Sequence, residues 1–132
     1  MCNVKALIVD DCQLTREMIG FFIAPFAETD YAGDGAEAVK MFSEAVAAES
    51  GYDLICLDIT MPVMGGHEAL GRIRGVEACS AKGRSKIFMI TASSSPDDMI
   101  AAITDGECDD YLTKPVIGKA FIELMRKHGL VS

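Results

Sequence analysis

The sequence predicts an α/β fold in which five parallel strands form one sheet with helices on both faces. Short apolar runs alternate with longer segments in which apolar residues recur every three to four positions, as in stacked βαβ units. Three of the runs are apolar throughout, as expected for strands that helices cover on both faces. A chain of 132 residues has the usual size of one domain, so we expect residues 1–132 to form a single domain.

Five segments are predicted to be strands. In chain order they are Lys5–Asp10, Glu28–Ala32, Asp53–Asp58, Lys86–Thr91 and Asp110–Thr113. Right-handed βα connections make 2-1-3-4-5 a common strand order for five such units. In that order the first and third strands are neighbours, at the point where the winding of the sheet reverses.

The segments between the strands carry the helical period. The first three predicted helices are marked by the apolar positions Leu14, Met18, Ile19, Phe22 and Ile23, then Ala38, Val39, Phe42, Ala45 and Val46, then Leu70 and Ile73. The fourth predicted helix begins with the N-cap residue Ser95 and Pro96, and it ends before Gly106. The fifth runs from about Gly118 to Gly129.

Charge and hydropathy exclude several classes of function. A formal net charge of −8 argues against binding to nucleic acid, which requires clustered Lys and Arg. The longest nearly unbroken apolar stretch, from Met18 to Ala27, is shorter than the ~20 residues that span a bilayer. The N-terminus lacks the features of a signal peptide. We therefore expect a soluble, cytoplasmic protein with neither a nucleic-acid nor a membrane partner.

The five cysteines are scattered along the chain and odd in number. No two of them have C-x-x-C spacing, and no histidine lies at metal-ligand spacing from one of them. We therefore expect reduced thiols instead of a zinc site or a disulfide framework.

Three aspartates lie where predicted strands end. Asp10 and Asp11 close the first strand, and Asp58 closes the third. The carboxyl ends of parallel strands meet at one edge of a sheet, where open α/β sheets bind ligands, so the three carboxylates should meet there. Two carboxylates about 5 Å apart repel by roughly 3 kcal/mol at an effective dielectric constant near 20. A cation is needed to compensate, and Mg²⁺ suits a site of few carboxylates plus water.

Thr91 and Lys114 end the fourth and fifth predicted strands. Taken singly, Thr91 could be an ordinary strand residue or the start of a capping turn, and Lys114 could be an ordinary exposed lysine. Beside the acidic cluster they suit phosphoryl transfer, which needs a cation and a hydroxyl donor for the phosphoryl oxygens, and the long Lys114 side chain can reach toward Asp58. The turn at residues 10–15 contains no glycine, which argues against a phosphate-cradling nucleotide site.

Five stretches of the sequence together resemble the receiver domain of two-component response regulators, in particular the single-domain, CheY-like chemotaxis-regulator type. They cover nearly the whole chain in order and are Leu7–Asp11, Asp34–Ala38, Asp53–Pro62, Ile90–Ala92 and Asp110–Pro115. The resemblance implies the flavodoxin-like (βα)5 doubly wound fold with strand order 2-1-3-4-5. It also implies a role in phosphorelay signal transduction.

The resemblance assigns a chemical role to each residue of the site. Asp58 would accept a phosphoryl group from a phosphohistidine of a sensor histidine kinase or a histidine phosphotransfer protein. Lys114 would pair with the phosphoryl oxygens. The expected ligands of Mg²⁺ are Asp10, acting mainly through water, Asp11, Asp58 and the backbone carbonyl of Thr60.

The resemblance further implies a switch. Thr91 would move to hydrogen-bond the phosphoryl group, and Tyr111 would change rotamer with it. A surface formed by the fourth helix, the fifth strand and the fifth helix would then bind a downstream protein target. Such a protein is a phosphoacceptor and not an enzyme, although it assists its own phosphorylation and dephosphorylation. Because the sequence ends just after the fifth helix, we expect no output domain.

Two alternative functions remain open. A phosphorylation-independent pseudo-receiver would act only as an interaction module. An aspartate-nucleophile phosphohydrolase would also use Asp58, Thr91, Lys114 and Mg²⁺, but that class carries a second acid two positions after the nucleophile, where this chain has Thr60. Gly118 departs from the family pattern and leaves the partner surface open, because glycine costs about 1 kcal/mol in a helix interior.

Overall fold

The computed structural model describes residues 4–59, 61, 63–78, 84–91 and 108–131. Five strands and four helices lie within these residues. They are β1 (Val4–Val9), α1 (Gln13–Ile23), β2 (Ala27–Ala32), α2 (Gly35–Ala47), β3 (Leu54–Asp58), α3 (Gly66–Glu77), β4 (Lys86–Thr91), β5 (Asp110–Thr113) and α4 (Gly118–Lys127). The fourth predicted helix, between Ser95 and Gly106, lies outside the described residues, so α4 is the fifth predicted helix.

All five strands are parallel and follow the order β2-β1-β3-β4-β5, which confirms the predicted flavodoxin-like topology. Val9 at the end of β1 lies between Ala32 of β2 and Leu57 of β3. Asp58 at the end of β3 lies opposite Ile90 of β4. The ends of β1 and β3 are therefore side by side, which is the arrangement that the acidic site requires.

The sheet separates two apolar cores. Alternate residues of β1 point to opposite faces: Leu7 packs in the core beneath α2 and α3, whereas Ile8 packs in the core beneath α1 and α4. Phe42 of α2 fills the first core, and Phe121 of α4 meets Phe88 of β4 edge to face in the second. β1, β3 and β4 are buried along nearly their whole length, because helices cover both faces of the sheet.

Two strand boundaries differ from the prediction at a point where an aspartate side chain bonds to the backbone. β1 ends before Asp10, whose carboxylate turns back to accept a hydrogen bond from the backbone N–H of Cys12. β3 begins after Asp53, whose carboxylate accepts from the backbone N–H of Lys5. β1 and β2 each begin one residue earlier than predicted, at Val4 and Ala27, and β4 and β5 have the predicted bounds.

The buried apolar residues of α1 lie in its second half. Ile19 and Ile23 are buried, whereas Leu14 is 66% exposed and Met18 is also exposed. The helix packs on the sheet through its second half. Gly20 allows this close approach, because a Cβ at Gly20 would lie 2.1 Å from the hydroxyl oxygen of Tyr31.

An ion-pair network ties α3 to the starts of β4 and β5, at the edge opposite the strand ends. Arg74 pairs with Glu77 and with Asp109, each at 2.9 Å, and it also donates to the carbonyl oxygen of Ser85 at 2.9 Å. All three charged side chains are largely buried. Among the described helices, none has the length and apolar character needed to cross a membrane.

Candidate functional site

Three carboxylates meet at the edge formed by the strand ends. One carboxylate oxygen from each of Asp10, Asp11 and Asp58 lies within 4.8 Å of the other two. Asp10 and Asp58 are only 1% and 3% exposed, whereas Asp11 is exposed. Burial removes the water that would screen their mutual repulsion, so the site needs positive charge nearby.

The side chain of Asp10 is held in a fixed orientation. Its Oδ1 accepts a hydrogen bond from the backbone N–H of Cys12 at 2.8 Å, and its own backbone N–H donates to the carbonyl of Ala32 at 3.1 Å. Its Oδ2 is buried and faces the cluster, where the ammonium nitrogen of Lys114 lies 3.0 Å from it. This oxygen is therefore available as a ligand for a cation at the cluster.

Lys114 supplies the positive charge that the structure itself contains. Its ammonium nitrogen lies 3.0 Å from Oδ2 of Asp10 and 3.3 Å from Oδ2 of Asp58. Burial alone would lower the pKa of Lys114, but the two carboxylates more than offset this effect and raise it. The backbone N–H of Lys114 donates to the carbonyl of Thr91, and the following bond to Pro115 is cis.

The structure places the two predicted switch residues on adjacent strands. Thr91 is buried at the end of β4 and pairs with Thr113 of β5. Tyr111 lies two positions earlier on β5, opposite Met89, and is 36% exposed. Thr91 therefore lies at the edge of the sheet where the carboxylates meet. Tyr111 lies on β5, two residues further from that edge. Thr60, the predicted carbonyl ligand, lies outside the described residues.

The loop after Asp58 is shaped by glycines and by one strained residue. A Cβ at Gly66 would lie 2.4 Å from the carbonyl oxygen of Asp58, so glycine allows α3 to begin directly against the end of β3. Gly35 donates its N–H to the carbonyl of Met64 and has equally little room for a Cβ. Val63 is 85% exposed and has φ of +67°, a left-handed conformation that is unfavourable for a β-branched residue.

The residues of the cluster fit a hard divalent cation. The donors are carboxylate oxygens, which Mg²⁺ prefers, and few enough to leave room for water and a phosphoryl oxygen. Oδ2 of Asp10 is buried among the other carboxylates and contacts the ammonium group of Lys114, which favours a cation-binding role over a purely turn-forming role for this residue. Mg²⁺ would be held by Asp10, Asp11 and Asp58.

Arg16 belongs to no motif of the sequence, yet it contacts the acidic cluster through the backbone. Its Nη1 donates to the carbonyl oxygen of Asp10 at 2.6 Å. The guanidinium also lies against Gly33, where a Cβ would be 3.7 Å from Nη1. The available signal was a lone basic residue in the first turns of the helix that follows the two aspartates.

Nearly the whole chain is similar to proteins of one known family. A family model for the response regulator receiver domain matches residues 6–126. The chemotaxis protein CheY of Listeria monocytogenes is 32% identical over 126 residues, which cover 94% of this chain and 97% of that protein. Hybrid signal transduction histidine kinase G of Dictyostelium discoideum is 36% identical over 133 aligned positions. These cover 98% of this chain but only 4% of that kinase.

Among solved structures, a similar one is the response regulator protein TrrA of Thermotoga maritima in complex with Mg²⁺ and BeF. It is 29% identical to this chain and superposes with a TM-score of 0.75. The match covers 97% of this chain and 99% of that one.

Proposed function

This chain belongs to the response regulator receiver domain family of two-component signalling, and on that premise we propose that Asp58 accepts a phosphoryl group in the presence of Mg²⁺. The observation that carries the proposal is the contact of Lys114 with Asp58 beside two further carboxylates. Receiver domains are signalling proteins and generally not enzymes. The donor we propose is a phosphohistidine of a sensor histidine kinase or of a histidine phosphotransfer protein.

The proposed step is a transfer between two side chains. A carboxylate oxygen of Asp58 forms the new P–O bond, and the P–N bond of the donor phosphohistidine breaks. The electron pair of that bond stays on the imidazole nitrogen, which takes up a proton from water. The protein contributes position and charge, because phosphoryl transfer has a loose transition state that needs little covalent assistance.

The charges around Asp58 suit this step. Lys114 lies 3.3 Å from Oδ2 of Asp58, close enough to pair with oxygens of a phosphoryl group attached there. Bound Mg²⁺ would neutralise further charge on those oxygens. Asp10 and Asp11 would hold the ion together with Asp58, and the Thr60 carbonyl is proposed as a further ligand.

The proposed output is a change of surface that a protein partner recognises. The hydroxyl of Thr91 would hydrogen-bond the phosphoryl group, and Tyr111 would change rotamer with it. The position of both residues on paired strands supports this coupling. The surface would comprise β5, α4 and the fourth predicted helix, which precedes β5 in the sequence. Addition of beryllofluoride and Mg²⁺ should shift the NMR signals of Thr91 and Tyr111, and unchanged signals would remove the switch from the proposal.

The experiment that tests the proposal is intact-mass spectrometry after incubation with acetyl phosphate, with and without Mg²⁺. Wild type should gain one labile phosphoryl mass only with Mg²⁺, Asp58→Asn should gain none, and the exposed-site control Glu28→Gln should behave as wild type. If wild type gains no mass and releases no phosphate, the pseudo-receiver alternative stands. Sustained release of phosphate without an adduct would instead support a hydrolase.

A further inference from the structure

Arg16 closes a small hydrogen-bonded ring at the turn between β1 and α1. Its guanidinium donates to the carbonyl oxygen of Asp10 at 2.6 Å, and its backbone N–H donates to the carbonyl of Cys12 at 3.1 Å. The backbone N–H of Cys12 in turn donates to Oδ1 of Asp10 at 2.8 Å. The ring therefore fixes both the main chain and the side chain of Asp10.

The carbonyl that Arg16 holds belongs to the peptide unit that joins Asp10 to Asp11. Because the six atoms of a peptide unit lie in one plane, fixing its oxygen also fixes the direction of the N–H and Cα of Asp11. Asp11 is exposed and lies beyond the end of β1, where no strand pairing orients it. Arg16 thus helps to fix the backbone from which the most exposed carboxylate of the cluster extends.

We infer that Arg16 is a positioning residue for the Mg²⁺ site, acting through the Asp10–Asp11 peptide unit and not through the ion. This inference rests on the proposed function, because it takes the acidic cluster to be the ion's site. Residues that orient metal ligands without touching the metal commonly change metal affinity by roughly ten- to a hundredfold when they are replaced.

The shape of the guanidinium suits this role. It is planar and carries five N–H donors in a fixed arrangement, so it can hold a carbonyl while lying flat against a neighbouring segment. That segment is the turn after β2, where a Cβ at Gly33 would lie 3.7 Å from Nη1, an ordinary van der Waals distance. The guanidinium therefore lies between the turn that carries two of the ligands and the turn after the adjacent strand. A lysine would keep the charge but would offer a compact donor on a flexible stem.

A purely electrostatic role and a positioning role of Arg16 predict opposite changes in Mg²⁺ affinity when its side chain is replaced, which makes the inference testable. A positive charge beside a cation site repels the cation, so if charge were its only contribution, Arg16→Gln would bind Mg²⁺ more tightly than wild type. If Arg16 positions the ligands, Arg16→Gln should bind Mg²⁺ more weakly despite the lost repulsion. The sign of the change in affinity separates the two roles.

The test is a titration of the full chain with Mg²⁺. Calorimetry and the amide NMR signals of Asp11 and Asp58 measure the binding. We expect Arg16→Gln to raise the dissociation constant of Mg²⁺ by about tenfold or more, and Arg16→Lys to raise it less. The matched control is Arg72→Gln, which removes a guanidinium from an exposed i,i+4 pair on α3 and should leave the affinity unchanged.

A second measurement is the rate of phosphorylation by acetyl phosphate as a function of Mg²⁺ concentration. Loss of positioning should raise the Mg²⁺ concentration at half-maximal rate and leave the rate at saturating Mg²⁺ within about twofold of wild type. A general loss of structure would instead lower the saturated rate.

Unchanged or tighter Mg²⁺ binding by folded Arg16→Gln would overturn the inference. If Arg16→Gln does not fold, Arg16→Lys decides, and an affinity equal to that of wild type would count against positioning. Wild type that binds no Mg²⁺ would contradict the proposed function itself, whereas wild type that binds it with unaffected variants would contradict only the role of Arg16.

Discussion

The ammonium nitrogen of Lys114 lies 3.3 Å from Oδ2 of Asp58, across 56 positions of sequence. It also lies 3.0 Å from Oδ2 of Asp10, so a single cation compensates two buried carboxylates. Both contacts depend on the adjacent ends of β1 and β3 and on the reach of Lys114 from the end of β5 past β4, so they connect the strand order to the chemistry of the site.

Replacing Lys114 by glutamine should destabilise the protein without Mg²⁺ and increase the stabilisation that Mg²⁺ provides. The reason is that two buried carboxylates lose their cation, which an added ion can partly replace. We expect a loss of about 1–2 kcal/mol in the free energy of unfolding, below the usual range for a buried pair because Lys114 is 26% exposed. Denaturant unfolding at several Mg²⁺ concentrations measures this. The same loss in the exposed control Lys119→Gln would show that the effect is not specific to the site.

Asp110 should make the free energy of unfolding of the protein depend on pH in the acidic range. Burial would raise the pKa of Asp110, but hydrogen bonds from His128, the backbone N–H of Tyr111 and Lys127 more than offset this and lower it. A pKa that is lower in the folded than in the unfolded state stabilises the protein above the unfolded value of about 3.9. This contribution is lost as the pH falls through the folded pKa.

Asp110→Asn should therefore be less stable than wild type at pH 7, with the difference shrinking as the pH falls below about 4. Urea unfolding between pH 7 and pH 3 checks this, with Glu28→Gln as an exposed control. A difference that stays constant over this range would show that the hydrogen bonds of Asp110 do not favour its ionised form.

Val63 should be a site where substitution stabilises the protein. Its φ of +67° places a β-branched side chain in the left-handed region, which costs roughly 1–2 kcal/mol for most L-residues and less for asparagine. Val63→Asn should increase the free energy of unfolding by about 1 kcal/mol. Val63→Ala keeps a Cβ at the same φ and should gain less. If alanine and asparagine stabilise equally, relief of backbone strain is not the cause.

Arg74 should matter for stability and not for the acidic site. It is 11% exposed and pairs with Glu77 and Asp109 at the opposite edge of the sheet. Arg74→Gln leaves two largely buried carboxylates without this partner, and we expect a loss of about 3 kcal/mol in the free energy of unfolding. The Mg²⁺ affinity of the folded variant should equal that of wild type. Calorimetric titration tests this separation, and a parallel loss of affinity would contradict it.

The sequence was most informative where local signals and topology agreed. β4 and β5 have the predicted bounds, and the strand order placed Asp10 and Asp58 together. Leu14 illustrates the opposite case. The apolar spacing correctly places it in a helix, but it lies in the first turn of α1, which does not pack on the sheet. Periodicity shows which side of a helix is apolar and not how far the sheet beneath it reaches.

Arg16 could not be assigned a role from sequence for a related reason. Its partner is a backbone carbonyl, which every residue has, so no pattern of side-chain types indicates the contact. The close approaches at Gly35 and Gly66 could not be predicted from sequence either, because the atoms that exclude a Cβ belong to the backbone at the end of β3 and in the loop after it. Such contacts depend on how loops pack after the sheet has formed.

The most direct test of the central claim is to identify the residue that carries the phosphoryl group. Borohydride reduces an aspartyl phosphate to homoserine, so treatment of the phosphorylated protein followed by peptide mass spectrometry marks the acceptor. We predict homoserine at position 58, dependent on Mg²⁺. Homoserine at position 10 or 11, or unmodified Asp58 in protein that has gained a phosphoryl mass, would contradict the assignment of Asp58 as the acceptor.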